Sequence, residues 1–171
     1  GLSLAEGLAA MHAHWWGKER LDAGNHPIHD ADHIMRFVDI ARPGAGHIIT
    51  NASDHLKPHW PDAISGFYAH HPNKMIEVAQ NLTGFTLIHG DVGWHNILVP
   101  HEGHRPLYII DRQPFDWSLT TWLGVYDLSF AIVLNWDVEI RRHLEEPLLR
   151  HYYAQLMKCG VEDYSWEQLY E

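Results

Sequence analysis

The stretch HGDVGWHNILV, residues 89–99, sets an aspartate and then an asparagine on a short glycine-containing segment between apolar flanks. A second run, LYIID at 107–111, ends in another aspartate. Asp91 offers a carboxylate, Asn96 an amide oxygen, and Asp111 a second carboxylate at the end of a strand expected to lie beside 96–100. Hard oxygen donors of this kind suit Mg2+, which takes one or two protein oxygens and completes its shell with phosphate and water. A further carboxylate within reach of a hydroxyl can orient it, or accept its proton, for in-line attack on a phosphoryl group. Taken singly, Asp91 or Asn96 is an ordinary polar turn residue bonded to backbone. The H-x-D-x-x-x-x-N spacing, the apolar strand after it and the strand-terminal Asp111 together select chemistry over the turn.

Helices must hold this segment in place. Residues 3–16 carry Leu4, Leu8, Met11 and Trp15 at helical spacing, with Ser3 and Glu6 in a capping-box pattern and Gly17 at the stop. LDAGNHP (21–27) reads as loop. Asp30 is expected to cap a helix that RPG (42–44) ends, and 45–57 is an ambiguous, helix-leaning piece. A helix starting at Pro61 and another over 73–82 follow, the latter ended by Thr83-Gly84. The period then shortens: 85–89, 96–100 and 107–111 are β-branched and aromatic runs, the last pair suited to a hairpin. After a loop over 112–124, helical spacing returns at 126–134 and 139–160, where Pro147 should start, kink or break the helix and Gly160 suits its end. This predicts one mainly helical α+β domain over 1–171, with a small β-rich centre carrying the chemistry. Both ends read as cut, since SWEQLYE (165–171) begins a helical turn that it does not complete.

At 171 residues and 46% hydrophobic content the chain can bury a real core. Its 22 acidic against 12 basic residues give −10, which argues against nucleic acid as a partner and is compatible with a cationic substrate. A lone cysteine, Cys159, fits a reducing compartment, so a cytoplasmic location is expected. The opening residues lack the basic start and long apolar run of a signal peptide. The most apolar stretch, LSFAIVLNW, is about half the ~20 residues that span a bilayer; a soluble protein with no membrane partner is expected. Sixteen histidines raise a metal hypothesis, whose best local case is His29 and His33 on one helix face. Without cysteine pairs or H-E-x-x-H, scattered surface histidines are the better reading.

LIHGDVGWHNILV followed by LYIIDRQ resembles the catalytic loop and metal-binding segment of the aminoglycoside phosphotransferase and choline kinase-like family, relatives of protein kinases. GVYDLSF resembles that family's G-x-x-x-D-L-A segment, and AEGLAAMHAHWWG its helix after the interlobe hinge. The paired tryptophans and DRQ lean toward the broad choline- and ecdysteroid-kinase-like branch. The resemblance implies the C-terminal lobe of a protein kinase-like fold and transfer of the γ-phosphoryl group of ATP or GTP to a hydroxyl of a small-molecule acceptor. It makes Asp91 the catalytic aspartate, and Asn96 and Asp111 the ligands of Mg2+ (or Mn2+) that bind the nucleotide phosphates. His89 is read as a brace whose ring bonds to backbone, over the alternative of a base, and Asp127 as a buried brace of the loop. Arg112 departs from the pattern, where an aromatic is usual; it could lower the pKa of Asp111, contact a phosphate or face solvent.

A complete kinase of this type also needs a Gly-rich loop and a strand lysine over the phosphates. No G-x-G-x-x-G occurs, and Lys18, Lys57, Lys74 and Lys158 sit on no plausible strand. The expectation is a lobe without its nucleotide clamp, whose uncovered upper face finds that missing lobe or a second copy. The acidic segment 137–146 and Trp94, Trp117, Trp122 and Trp136 could hold a cationic acceptor. A non-catalytic binding or regulatory module derived from such a kinase is the alternative. A metal-dependent phosphohydrolase lacks the convergent ligands of a two-metal site.

Overall fold

A computed structural model describes residues 1–101, 106–112 and 120–170. The described elements run α1 (Leu2–His14), α2 (Lys18–Ala23), α3 (Ala31–Asn51), α4 (Trp60–Asn81), β1 (Phe85–Leu87), β2 (Ile97–Leu98), β3 (Tyr108–Ile109), β4 (Thr121–Leu123), α5 (Val125–Asn135), α6 (Val138–Lys158) and α7 (Trp166–Tyr170). They form two compact units, Gly1–Ile28 with Leu82–Glu171, and His29–Asn81. The chain is thus mostly helical with small two-stranded sheets, an α+β arrangement. No helix among the described residues is long and apolar enough to cross a membrane.

The larger unit is built on α1 against α6. Leu4, Ala5, Leu8, Ala9 and His12 recur at helical spacing and are buried, and the two alanines let the helix axes approach closely. They meet Leu148, Leu149, Tyr152 and Leu156 of α6 and Leu128, Ala131 and Ile132 of α5 in one core. Truncating a fully buried leucine such as Leu8 to alanine would cost about 2–5 kcal/mol. Gly17, at φ 84°, turns the chain out of this helix and donates its N–H to Phe85 O at 3.0 Å, joining α1 to β1. The expected capping box is absent: Ser3 lies inside the first turn, and the cap position is Gly1, which has no side chain to offer. The loop expected at 21–27 is partly helix, because α2 buries Leu21 completely.

α6 ends in a Schellman motif. The Gly160 N–H bonds Met157 O at 3.0 Å and the Val161 N–H bonds Leu156 O at 3.1 Å, with Gly160 at φ 91°. Pro147 lies inside α6 and does not break it. In the second unit, Asp30 caps α3 by accepting the His33 N–H at 2.8 Å, as its position predicts. The expected stop at 42–44 fails: α3 continues through Pro43 to Asn51, and α4 runs unbroken through Pro72, merging two expected helices. Each proline removes one bond from a helix of 21 or 22 residues, and packing of α3 on α4 carries both helices through.

β2 and β3 pair antiparallel, with Ile97 opposite Ile109 and Leu98 opposite Tyr108. The connection expected over 101–106 falls largely outside the described residues. Alternation turns Ile97 and Ile109 toward the core and leaves Leu98 and Tyr108 outward and exposed. β4 lies in what reads as loop; it pairs antiparallel with β1, Thr86 opposite Trp122, and buries Thr121 and Trp122.

Candidate active site

The segment after β1 is held from below by one carboxylate. Asp127, in the first turn of α5 and with no solvent exposure, accepts the His89 N–H on Oδ2 at 2.6 Å and the Gly90 N–H on Oδ1 at 2.9 Å. Gly90 reaches this position at φ 84°. The His89 ring lies 2.8 Å from Ile110 O through Nε2, and its Nδ1 is 3.3 Å from the Asp91 N–H. A carbonyl only accepts, so Nε2 carries the proton and Nδ1 accepts from Asp91. With both nitrogens engaged in this way, the ring is held between two backbone segments and has no free lone pair to act as a base.

The Asn96 side chain, 4% exposed, turns its Nδ2 to Asp91, donating to the backbone oxygen at 2.9 Å and to Oδ2 at 3.2 Å. This leaves the amide oxygen as the donor atom a cation needs. The Ile110 N–H bonds Asn96 O at 3.0 Å while Ile110 O receives His89, so one residue ties the loop to the segment bearing Asp111. Asp111 itself is exposed and sits at φ 61°, a left-handed conformation that aspartate tolerates better than most side chains. Asp91 is partly buried, with His95 Nε2 3.7 Å from its Oδ2.

Arg112, half-buried, has a backbone partner that its sequence position does not reveal. Its Nε donates to Ile88 O at 3.0 Å, bracing the strand that leads into the loop. Burial lowers its pKa, and the nearby Asp127 carboxylate raises it in part. Tyr126, beside Asp127 in α5, is pushed up by burial first and then by Asp127 and Asp91, so its phenol stays protonated.

Beneath Asp127 lie partners that residue spacing does not single out. His12 Nε2 is 3.1 Å from Asp127 Oδ2, and His12 Nδ1 is 2.8 Å from the Tyr152 hydroxyl. All three side chains are fully buried. The Thr86 hydroxyl donates to His12 O at 2.8 Å, fixing α1 to the strand before the loop. Neither His12 nor Tyr152 is singled out by the sequence: each looks like an ordinary residue of an amphipathic helix.

Comparison with known families matches the ecdysteroid kinase-like family over residues 52–162, which include the 89–96 loop, Asp111 and Asp127. The chain belongs to the ecdysteroid kinase-like family. No curated protein and no solved structure matches it. Membership in this kinase-like family supports a kinase-like fold and function at that coarse level, on the ecdysteroid-kinase-like side of the resemblance read from the motifs. Helix α1, which supplies His12 to Asp127, lies outside the matched residues of the ecdysteroid kinase-like pattern.

Of the tryptophans expected to face an acceptor, Trp122 is buried against Phe85, ring centroids 5.1 Å apart, and belongs to the core. Trp117 lies outside the described residues. Trp94 is 76% exposed on the loop itself and, with Trp136, Ile97, Val99 and Leu107, lines an apolar pocket of about 220 Å3. The acidic segment is partly neutralised by its own arginines, Arg141 near Glu145 and Arg150 bonded to Glu146. His29 and His33 stack at 3.8 Å, and among the described residues no three His, Cys, Asp or Glu side chains converge on a metal position.

Proposed function

We propose that this ecdysteroid kinase-like chain serves phosphoryl transfer from ATP or GTP to a hydroxyl group of a small-molecule acceptor. The observation that carries the reading is the single hydrogen-bonded frame made by Asp91, Asn96, His89 and Ile110, which leads directly into Asp111. A polar turn has no need to spend a buried amide on the aspartate before it, nor to lock a histidine between two backbone segments. In this reading Asp91 aligns the acceptor hydroxyl and takes its proton. The oxygen then attacks the γ-phosphorus, the bond to the β-bridging oxygen breaks, and the nucleoside diphosphate leaves.

The donor types fit Mg2+ or Mn2+: the amide oxygen of Asn96, whose nitrogen is spent on Asp91, and one exposed carboxylate at Asp111, a small hard-oxygen set that phosphate oxygens would complete. When bound, the ion would neutralise charge on the transferring phosphates. Asn96 and Asp111 would hold it, and His89 with Ile110 would keep their two segments in register. Asp127 would hold the loop by its first amides. The exposed outer face of the β2–β3 hairpin, with Leu98, Tyr108 and Ile110, suits an apolar cover such as a nucleotide base and the clamp that holds it.

Three of the four lysines are engaged locally. Lys18 is bonded to Asp22, Lys74 is paired with Glu77, and Lys57 lies over Trp60. Groups for the α- and β-phosphates are therefore proposed to come from a further lobe. The test is to supply the protein as encoded with Mg2+, γ-labelled ATP or GTP and mixtures of hydroxylated acceptors. Metal-dependent appearance of a phosphate monoester is expected. Nucleotide binding without transfer to any acceptor would favour a non-catalytic module instead.

A further inference from the structure

We propose that Tyr152 of α6 and His12 of α1 are positioning residues for Asp91, acting through the buried Asp127 carboxylate. This rests on the phosphotransferase reading of the loop. The geometry forms one directed chain: Tyr152 hydroxyl to His12 Nδ1 at 2.8 Å, His12 Nε2 to Asp127 Oδ2 at 3.1 Å, and the Asp127 oxygens to the His89 and Gly90 amides at 2.6 and 2.9 Å.

Each link fixes the next. A carboxylate needs a donor, so the His12 proton sits on Nε2, and Nδ1 must then accept. Burial pushes the Tyr152 phenol well up, so it remains a donor to that nitrogen. Tyr152 thereby holds the His12 ring by its second nitrogen, and the ring in turn fixes Asp127 through Oδ2. Asp127 in turn holds the amides immediately before Asp91, whose own N–H bonds the His89 ring. The partners lie 140 and 115 residues apart in sequence, so this is a tertiary device that ties two helices of the core to the loop. Water cannot easily replace a missing link. A Cβ on Gly124 would already meet the Tyr152 hydroxyl at 2.7 Å and His12 Nδ1 at 3.2 Å, so the space is closed.

Filling of a core would call for a ring at Tyr152 but not for its hydroxyl, and this separates the proposal from simple packing. In Tyr152→Phe the ring stays but the buried Nδ1 loses its donor, so the His12 ring is held from the Asp127 side alone and its bond to Asp127 Oδ2 loosens. NMR of the 171-residue chain should show the His89 and Gly90 amide protons shifted upfield, with exchange about tenfold faster relative to other core amides. His12→Gln, which keeps a donor toward Asp127, should retain more of the wild-type pattern than His12→Leu. Leu169→Ala, a core truncation in α7, is the control for lost stability alone. In the protein as encoded, Tyr152→Phe should lower kcat for phosphoryl transfer while leaving nucleotide affinity unchanged. His89 and Gly90 amides that move no more in Tyr152→Phe than in Leu169→Ala would overturn the proposal. A catalytically inert Asp91 would overturn the phosphotransferase reading separately, and the amide shifts would still decide whether Tyr152 and His12 set the loop.

Discussion

Gly124 precedes α5 at φ −58°, an ordinary conformation for any residue, so its lack of a side chain is a matter of space rather than backbone freedom. A methyl group there would lie 2.7 Å from the Tyr152 hydroxyl and 3.0 Å from Thr86 Cγ2, both fixed by hydrogen bonds to α1. Gly124→Ala should therefore cost about 1–3 kcal/mol, the usual range for overpacking a filled interior. Urea unfolding should show a lower midpoint at unchanged slope; an unaltered midpoint would mean that the Tyr152–His12 pair yields freely. At this scale the sequence was legible where partners are near in the chain. His89, Asp91 and Asn96 share one loop, and the structure bonds them to one another. His12 and Tyr152 were not legible, because a histidine on an amphipathic helix and a tyrosine on another look like any other core residues until the fold brings them together. The Arg112 bond was not legible for the same reason: its partner is a backbone carbonyl, which no side-chain pattern reveals.

Helix existence was readable from apolar spacing, and helix ends were not. Pro43, Pro72 and Pro147 each suggested a stop or kink, yet each lies within a continuous helix whose packing outlasts one missing bond. β4 was hidden because a strand of three residues leaves no period to read. The hairpin, by contrast, followed from two β-branched and aromatic runs close together in the chain, and these paired antiparallel. The entry to α3 carries a titration of its own. His29 stacks on His33, and burial, followed by the His33 and Arg36 charges, lowers its pKa from 6.5 to about 4 against the opposing pull of Asp30. The unfolded chain thus binds a proton that the folded chain refuses between those values. Stability should fall as pH drops from about 6.5 toward 4 and gain nothing from this group above that window. Burial also lowers His26 and His71, in the same direction. Denaturant unfolding across this range should show a shallower pH dependence in His29→Gln than in wild type; identical slopes would remove His29 from the effect.

The whole molecule presents its apolar excess unevenly. Leu98, Val99, Tyr108 and Ile110 stand exposed together on and beside the β2–β3 hairpin, next in the chain to Asn96 and Asp111. Patches of this kind are usually covered, and the 171-residue chain by itself should self-associate through this face. Sedimentation velocity should give a weight that rises with concentration and returns to monomer in Leu98→Lys; a clean monomer at all concentrations would reject that cover. The central claim, that the Asp91 loop performs phosphoryl transfer, rests on one comparison above others. In the protein as encoded, kcat and nucleotide affinity should be measured for wild type and Asp91→Asn with Mg2+ and ATP or GTP. The amide keeps the shape of the carboxylate but cannot take the acceptor's proton, so kcat should fall by about 10²–10⁴ with nucleotide affinity nearly unchanged. An Asp91→Asn protein that turns over at the wild-type rate would contradict the account.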